Sequence, residues 1–285
     1  MKASLTDRVQ PAVLHTITIT AQARPSRWAR LTASRAGVWL GRLVVAVIVF
    51  AVWQYFGSSS TRTAFFISTP TSVVHTMVQM LGTSSFWTDA YVSLKEAILG
   101  FVISAVVGSA CGFALAQSKF ANRILDPFIS ALNSLPRIAL ASVFILYFGL
   151  GEASKVALAV SLAFFIFLIN IYQGAASVNE EWAVVMRTMG ASRLQFIRKV
   201  TLQSTVPWAI AASRLGMSQA IAAVIIGEML SAQNGLGSEL LTASSNFDTS
   251  RQYAILVFLL IFAMILNEGL GYAERRTNSW SSRTN

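Results

Sequence analysis

Six long runs of apolar residues, at about 38–56, 92–117, 129–148, 155–172, 206–230 and 253–272, constrain this chain more than any other feature. Each is close to the roughly 20 residues that an α-helix needs to cross a hydrocarbon core about 30 Å thick. The runs are apolar all round rather than on one face, which a soluble core does not require. Their apolarity is continuous rather than alternating, so barrel strands do not fit. Helices and closed barrels are the only spanning forms that satisfy their own backbone in lipid. The predicted fold class is therefore all-α, a polytopic membrane protein with six transmembrane helices. Composition agrees, with 12% charged residues against about 25% in soluble domains.

The basic residues are placed unevenly between the runs. With the amino terminus inside, the inner segments hold Lys2, Arg8, Arg24, Arg27, Arg30, Arg35, Lys119, Arg123, Arg187, Arg193, Arg198, Lys199, Arg275, Arg276 and Arg283. The outer segments hold only Arg62, Lys155 and Arg251. This asymmetry predicts that both termini are cytoplasmic. The net charge of +10 is then mainly a topology signal, with contact to anionic lipid headgroups. No aromatic-basic groove accompanies it, so no nucleic-acid partner is expected.

Residues 1–36 read as a basic cytoplasmic tail, mostly disordered. Residues 37–86 read as the first span and an outer surface helix, 87–276 as the main membrane domain, and 277–285 as a second cytoplasmic tail. A secretory leader is not expected, because the first apolar run begins late and no small-residue cleavage pattern follows it. Cys111 is the only cysteine, so a disulfide within the chain is excluded. Ser68-Thr69-Pro70-Thr71-Ser72 looks like a helix start with hydroxyl caps. The stretch from there to Leu81 is expected to lie on the outer surface.

Chemistry is sparse. His15 and His75 cannot assemble a metal cluster, and no metal or cofactor is expected. There is no Gly-x-x-x-x-Gly-Lys-Ser/Thr loop to cradle phosphates, and no zinc-type His-Glu-x-x-His. A nucleophile elbow is absent too. Energy for uphill transport must come from another chain or from an ion gradient.

Between the fourth and fifth runs lies a charged, glycine-punctuated island, Val184 to Pro207. Gly190 separates two helical patterns, roughly 179–189 and 192–202, and permits a tight turn with positive φ. Ser192 can cap the second helix. Two short helices joined in this way form a firm knob able to seat in a cleft of a soluble partner and pass its motion to the spans.

Several motifs recur in a telling order. They are Pro70-Thr71-Ser72-Val73-Val74, Ser93-Leu94 with Gly100-Phe101, and Leu135-Pro136. Next come Tyr147-Phe148-Gly149 with Gly151-Glu152 and Ser154-Lys155, and finally Gly227-Glu228-Met229 with Gly235-Leu236-Gly237. In this order the chain resembles the permease subunits of binding-protein-dependent, type I ATP-binding-cassette importers. Within them it is most similar to the nitrate/sulfonate/taurine branch, which includes permeases for pyrimidine precursors. The resemblance runs from about residue 70 to 276 and makes 87–276 a type-1 ABC transmembrane domain.

The resemblance implies a bacterial inner-membrane location and a pore formed only by two permease copies, with a homodimer expected. It also implies cytoplasmic ATP-binding-cassette ATPases and an external solute-binding protein. It places the ATPase-docking loop on Arg187, Thr188, Met189, Gly190, Ala191, Ser192, Arg193 and Phe196. Gly190, Val200 and Leu202 fall on the family pattern there. Val184, Val185 and Met186 replace its Glu-Ala-Ala, and Gln203 replaces a proline. Pro136, Arg214, Ser218 and Glu228 are the candidates for the translocation path or gate. The implied function is passage of a small anionic or sulfonate-like solute, without catalysis by this chain.

Other features carry structural expectations. Gly108 and Gly112, with Ser104 and Ala116 on either side, form a small-residue face suited to close helix packing, inside one subunit or between two. Pro136 should kink the third run. Arg214 could pair, snorkel or line an anion path. Glu96 stands where the family commonly has a basic residue. The alternative class, a secondary transporter or channel driven by an ion gradient, would favour inverted repeats and mid-span carboxylates. Neither an evident repeat nor a mid-span Asp is present.

Overall fold

The computed structural model describes residues 35–231 and 233–277. The two predicted tails lie almost wholly outside the described residues. The chain divides into two compact units, Met1–Val52 and Trp53–Asn285. The described part of the first unit is the leading stretch of helix α1 (Arg35–Ser58), whose Val45, Ile48 and Val49 are exposed.

The second unit continues through two short helices, α2 (Thr61–Ile67) and α3 (Pro70–Leu81). The hydroxyl caps expected before Pro70 are present: Thr69 Oγ1 accepts from the Ser72 N–H at 3.2 Å, with Pro70 at the first helical position. Val73 and Met80 of α3 are buried beside Phe86, Leu236, Leu240 and Ile255. Burial of α3 is one-sided, since Val74 and Val78 on the same helix are exposed. Helix α2, capped by a Ser60–Thr63 box, was not anticipated, because seven residues carry too little periodicity to show.

The bundle is built on α4 (Ser84–Ala116), α7 (Glu152–Ala176) and α10 (Leu202–Ser231). Between α4 and α7 the small-residue face works inside the subunit. A Cβ on Gly108 would sit 2.7 Å from Phe164 O, and one on Gly112 would sit 2.3 Å from Leu168 O. Gly100 extends the same ridge one spacing earlier, against Ala159. Ser104, fully buried on this ridge, donates to its own helix at Gly100 O, 2.7 Å away. Ala220, Ala223 and Val224 of α10 close a core with Ala97 of α4 and Leu158, Ala159 and Leu162 of α7.

Five helical stretches are long and apolar enough to cross a membrane: Gly37–Ser58, Ser84–Ala116, Glu152–Ala176, Arg193–Ser231 and Thr249–Tyr272. The third apolar run departs from a simple span. It is a bent pair, α5 (Lys119–Ser134) and α6 (Leu140–Phe148), joined through a 3₁₀ turn at Arg137–Ala139, with a 72° bend. Counted together the pair makes a sixth span. The cause is local. Pro136 drives Leu135 into extended backbone (φ −64°, ψ 139°), since the residue before proline is barred from the helical region.

The fifth run also differs from its prediction. Instead of starting near residue 206, its helix runs without a gap from α9 (Arg193–Phe196) through a π-helical turn (Ile197–Thr201) into α10, 39 residues in all. Pro207 lies within it. The chain ends with α11 (Leu236–Ser245) and the last span, α12 (Thr249–Thr277). Helix α8 (Glu180–Thr188) precedes α9.

Candidate docking loop and translocation path

The knob predicted around Gly190 is present. Asn179 caps α8 by accepting from the Glu181 N–H at 2.9 Å. The helix closes with bonds from Met189 N to Val185 O (3.1 Å), Gly190 N to Arg187 O (3.0 Å) and Ala191 N to Met186 O (2.9 Å). These turn the chain through Gly190 at φ +74°, a conformation that costs an L-residue about 1–2 kcal/mol. Ser192 then starts α9 with a full capping box. Its Oγ accepts from Gln195 N, and Gln195 Oε1 accepts from Ser192 N at 2.8 Å.

Both caps are exposed, and so are Arg187, Thr188, Met189 and Arg193; Ala191 and Phe196 are half-buried. Met189 is 77% and Leu194 63% exposed, large apolar groups at the tip. A hollow of about 480 Å³ lies between Gln117, at the end of α4, and Met186, Arg187, Arg193 and Phe196. The upstream residues that replace the family's Glu-Ala-Ala, Val184 and Val185, are likewise exposed.

At the opposite end of α10 a buried polar network ties three elements together. Glu228 is fully buried. Its Oε1 accepts from Ser93 Oγ at 2.6 Å, and its Oε2 accepts from the Gly237 N–H at 2.8 Å. Ser93 Oγ in turn accepts from Leu236 N at 2.9 Å, and Asp89 accepts from Gly235 N at 2.8 Å. Side chains of α4 and α10 thus satisfy the first N–H groups of α11, which have no partner inside their own helix. Gly235, at φ +102°, allows the approach: a Cβ there would fall 2.0 Å from Glu228 Oε1.

One turn below, Lys155 Nζ bonds Glu96 Oε1 at 3.2 Å, with both side chains almost fully buried. Lys155 was expected to be an outer-segment charge; it is instead an interior ion-pair partner. Glu96, which departs from the family's usual basic residue, is the group that neutralises it. Lys95, its neighbour in sequence, pairs instead with Glu152, three residues before Lys155 on α7, at 2.6 Å on the surface. Adjacent helical residues point about 100° apart, so this division follows from the 3.6-residue turn.

The remaining path candidates lie apart from that network. Pro136 is exposed at the break between α5 and α6. Arg214 and Ser218 share an exposed stripe of α10 with Gln219. Ser218 Oγ donates to Arg214 O at 3.2 Å, and the Arg214 guanidinium lies against Gly271 of α12. Glu228 does not join this stripe; it stands buried in the clamp on α11.

One charged residue of the break escaped the sequence reading. Arg137, immediately after Pro136, donates from Nη1 to Leu162 O at 3.1 Å and from Nη2 to Asn133 O at 2.9 Å. It also bonds Asn133 Oδ1, and its guanidinium lies over the Phe165 ring, 4.8 Å from the centroid. The available signal was that Arg137 is the only basic residue in the third apolar run.

The sequence profile described as "Binding-protein-dependent transport system inner membrane component" matches residues 104–277. The putative aliphatic sulfonates transport permease protein SsuC of Bacillus subtilis is 26% identical over 242 residues, covering 85% of this chain and 88% of that one. The taurine transport system permease protein TauC of Escherichia coli is 24% identical over 262 residues, covering 90% and 94%. The riboflavin transport system permease protein RibX of Chloroflexus aurantiacus is 28% identical over 243 residues, covering 85% and 91%. A chain from an inward-facing structure of the MetNI methionine ABC transporter superposes with a TM-score of 0.60 at 16% identity, covering 70% of this chain and 97% of that one. At that identity the likeness shows the fold. The chain belongs to the family of inner membrane components of binding-protein-dependent transport systems: it is a multi-pass permease subunit of an ATP-driven importer, not an enzyme, and ATP hydrolysis resides on a separate partner chain.

Proposed function

We propose that this permease carries a small sulfonate-class anion across the inner membrane, delivered by an external binding protein, through a path formed by two copies of the chain. Both termini are cytoplasmic in this reading, so the Gly190 knob faces the ATPases. The observation that carries the coupling is the unbroken helical stretch from Arg193 to Ser231. A displacement of the knob by closing ATPases moves a single rod, whose far end holds Glu228 and the clamp on α11. Helices transmit such motion because their packed cores deform in discrete steps rather than continuously.

In this scheme Arg187 to Arg193 and Phe196 meet the ATPase, with Met189 and Leu194 providing apolar contact area. The α10 stripe bearing Arg214 and Ser218, together with the break at Pro136, supplies the polar lining that an apolar span would lack. Glu228 acts at the outer mouth through its hold on α11. Nucleotide must favour one orientation by a few kcal/mol to shift the population usefully. The sulfonate class is supported by the relatives named for aliphatic sulfonates and taurine.

The test is reconstitution of the chain with its ATPase and binding protein in proteoliposomes, followed by uptake of radiolabelled ethanesulfonate. ATP-dependent uptake is expected. Uptake that proceeds down an ion gradient without any ATPase would replace this reading with that of a secondary transporter.

A further inference from the structure

The break at Pro136 places a full positive charge inside an apolar run, and the partners of that charge are all neutral. Arg137 is bonded to Leu162 O, to Asn133 O and Oδ1, and to the Phe165 ring face. No carboxylate among the described residues lies within ion-pair distance of it. A charged side chain at membrane depth is costly and normally faces an opposite charge, a backbone carbonyl or a water-filled cavity. Carbonyls and a ring quadrupole orient the guanidinium without neutralising it. A guanidinium has five N–H donors, and the bonds to these three oxygens leave others unspent.

The surroundings are open on the side away from α7. Pro136, Ile138 and Ala139 are exposed, Ile138 at 56%, whereas Arg137 itself is half-buried. The cation is therefore held by Asn133 of α5 and by Leu162 and Phe165 of α7, and borders the exposed surface formed by Pro136, Ile138 and Ala139. Fixing matters, because an arginine already held by two helices loses less freedom when it takes up an anion. Arg137 opens the 3₁₀ turn at the 72° bend.

We infer that Arg137 is an anion-binding residue of the translocation path, held at the α5–α6 break to contact the oxygens of a sulfonate-class solute. This rests on the sulfonate reading of the permease and adds the group that recognises the charge. Arginine suits tetrahedral oxyanions because its planar fork offers directed donors and cannot lose its proton.

The experiment uses the complete importer, with Cys111→Ser and Ile138→Cys introduced so that this chain's single thiol lies at the break and its labelling is read on this chain. Alkylation of that thiol by N-ethylmaleimide is timed with sodium ethanesulfonate, with sodium chloride at equal ionic strength, and with uncharged dimethyl sulfone. Ethanesulfonate alone should slow alkylation, by about threefold or more. Arg137→Gln should abolish the protection and lower ATP-dependent ethanesulfonate uptake about tenfold, and Arg137→Lys should keep a substantial part of both. Thermal unfolding of each variant is followed in parallel.

Protection and uptake unchanged by Arg137→Gln would overturn the assignment while leaving the importer reading intact. Equal losses in the Lys and Gln variants, together with lowered melting temperatures, would make Arg137 only a cap for the break. Failure of the unsubstituted importer to take up ethanesulfonate would remove the sulfonate reading, and this assignment with it.

Discussion

Glu228 of α10 and Gly237 of α11 are nine residues apart in sequence and joined across a sharp turn, carboxylate oxygen to backbone N–H, at 2.8 Å. The other oxygen of Glu228 is taken by Ser93 of α4. One carboxylate of α10 thereby holds α11 against α4.

Removing it should loosen that end first. Glu228→Ala leaves Ser93 Oγ–H and the Gly237 N–H buried without their acceptor, at about 1–3 kcal/mol for each unsatisfied group. A double-mutant cycle with Ser93→Ala, read by thermal unfolding in detergent, should show coupling of at least about 0.5 kcal/mol. Strict additivity would mean that the two groups do not act as one unit.

The Glu96–Lys155 pair should respond asymmetrically. Lys155→Met leaves a carboxylate buried and unpaired, a loss of about 3–5 kcal/mol. The double variant Glu96→Leu/Lys155→Met removes both charges and should recover most of that stability, because desolvating an ion pair offsets much of its attraction. Melting curves of the single and double variants check this. A double variant no more stable than the single one would point to a dependence on charge rather than on pairing.

At the knob, two substitutions separate space from backbone. A Cβ on Gly190 meets nothing within 4 Å, so Gly190→Ala carries only the backbone cost of φ +74°, about 1–2 kcal/mol. Proline cannot adopt that φ and also removes the N–H that bonds Arg187 O. Co-purification with the ATPase should be reduced by Gly190→Ala and lost with Gly190→Pro, at unchanged membrane insertion. If the proline variant assembles normally, the knob is not the docking element.

The α4–α7 ridge gives a packing test with its own control. Gly112→Val would force a side chain into Leu168 O, 2.3 Å from the new Cβ, and overpacking of this kind costs about 1–3 kcal/mol or more. Gly41→Val in α1 meets nothing within 4 Å and should change stability by no more than about 0.5 kcal/mol. Similar melting shifts for the two variants would contradict the close approach of α4 and α7.

Much of this architecture follows from sequence alone, for reasons that are local. Long apolar runs must become helices in lipid, because no water is present to satisfy the backbone. Gly190 with Ser192 and Gln195 encodes a turn and a capping box within six residues, and Pro136 sets the backbone of Leu135 directly. These effects act between near neighbours, so spans, knob and break were legible.

Tertiary structure decided what depends on partners far along the chain. That Glu228 clamps α11, that Lys155 is buried against Glu96, and that Arg137 reaches Leu162 are contacts across 9, 59 and 25 residues. Their identity depends on which helix faces meet, and spans that are apolar all round carry no periodic stripe to announce their inner face. Small residues and the size of the 72° bend set those faces, and only the packed bundle shows which charges they bring together.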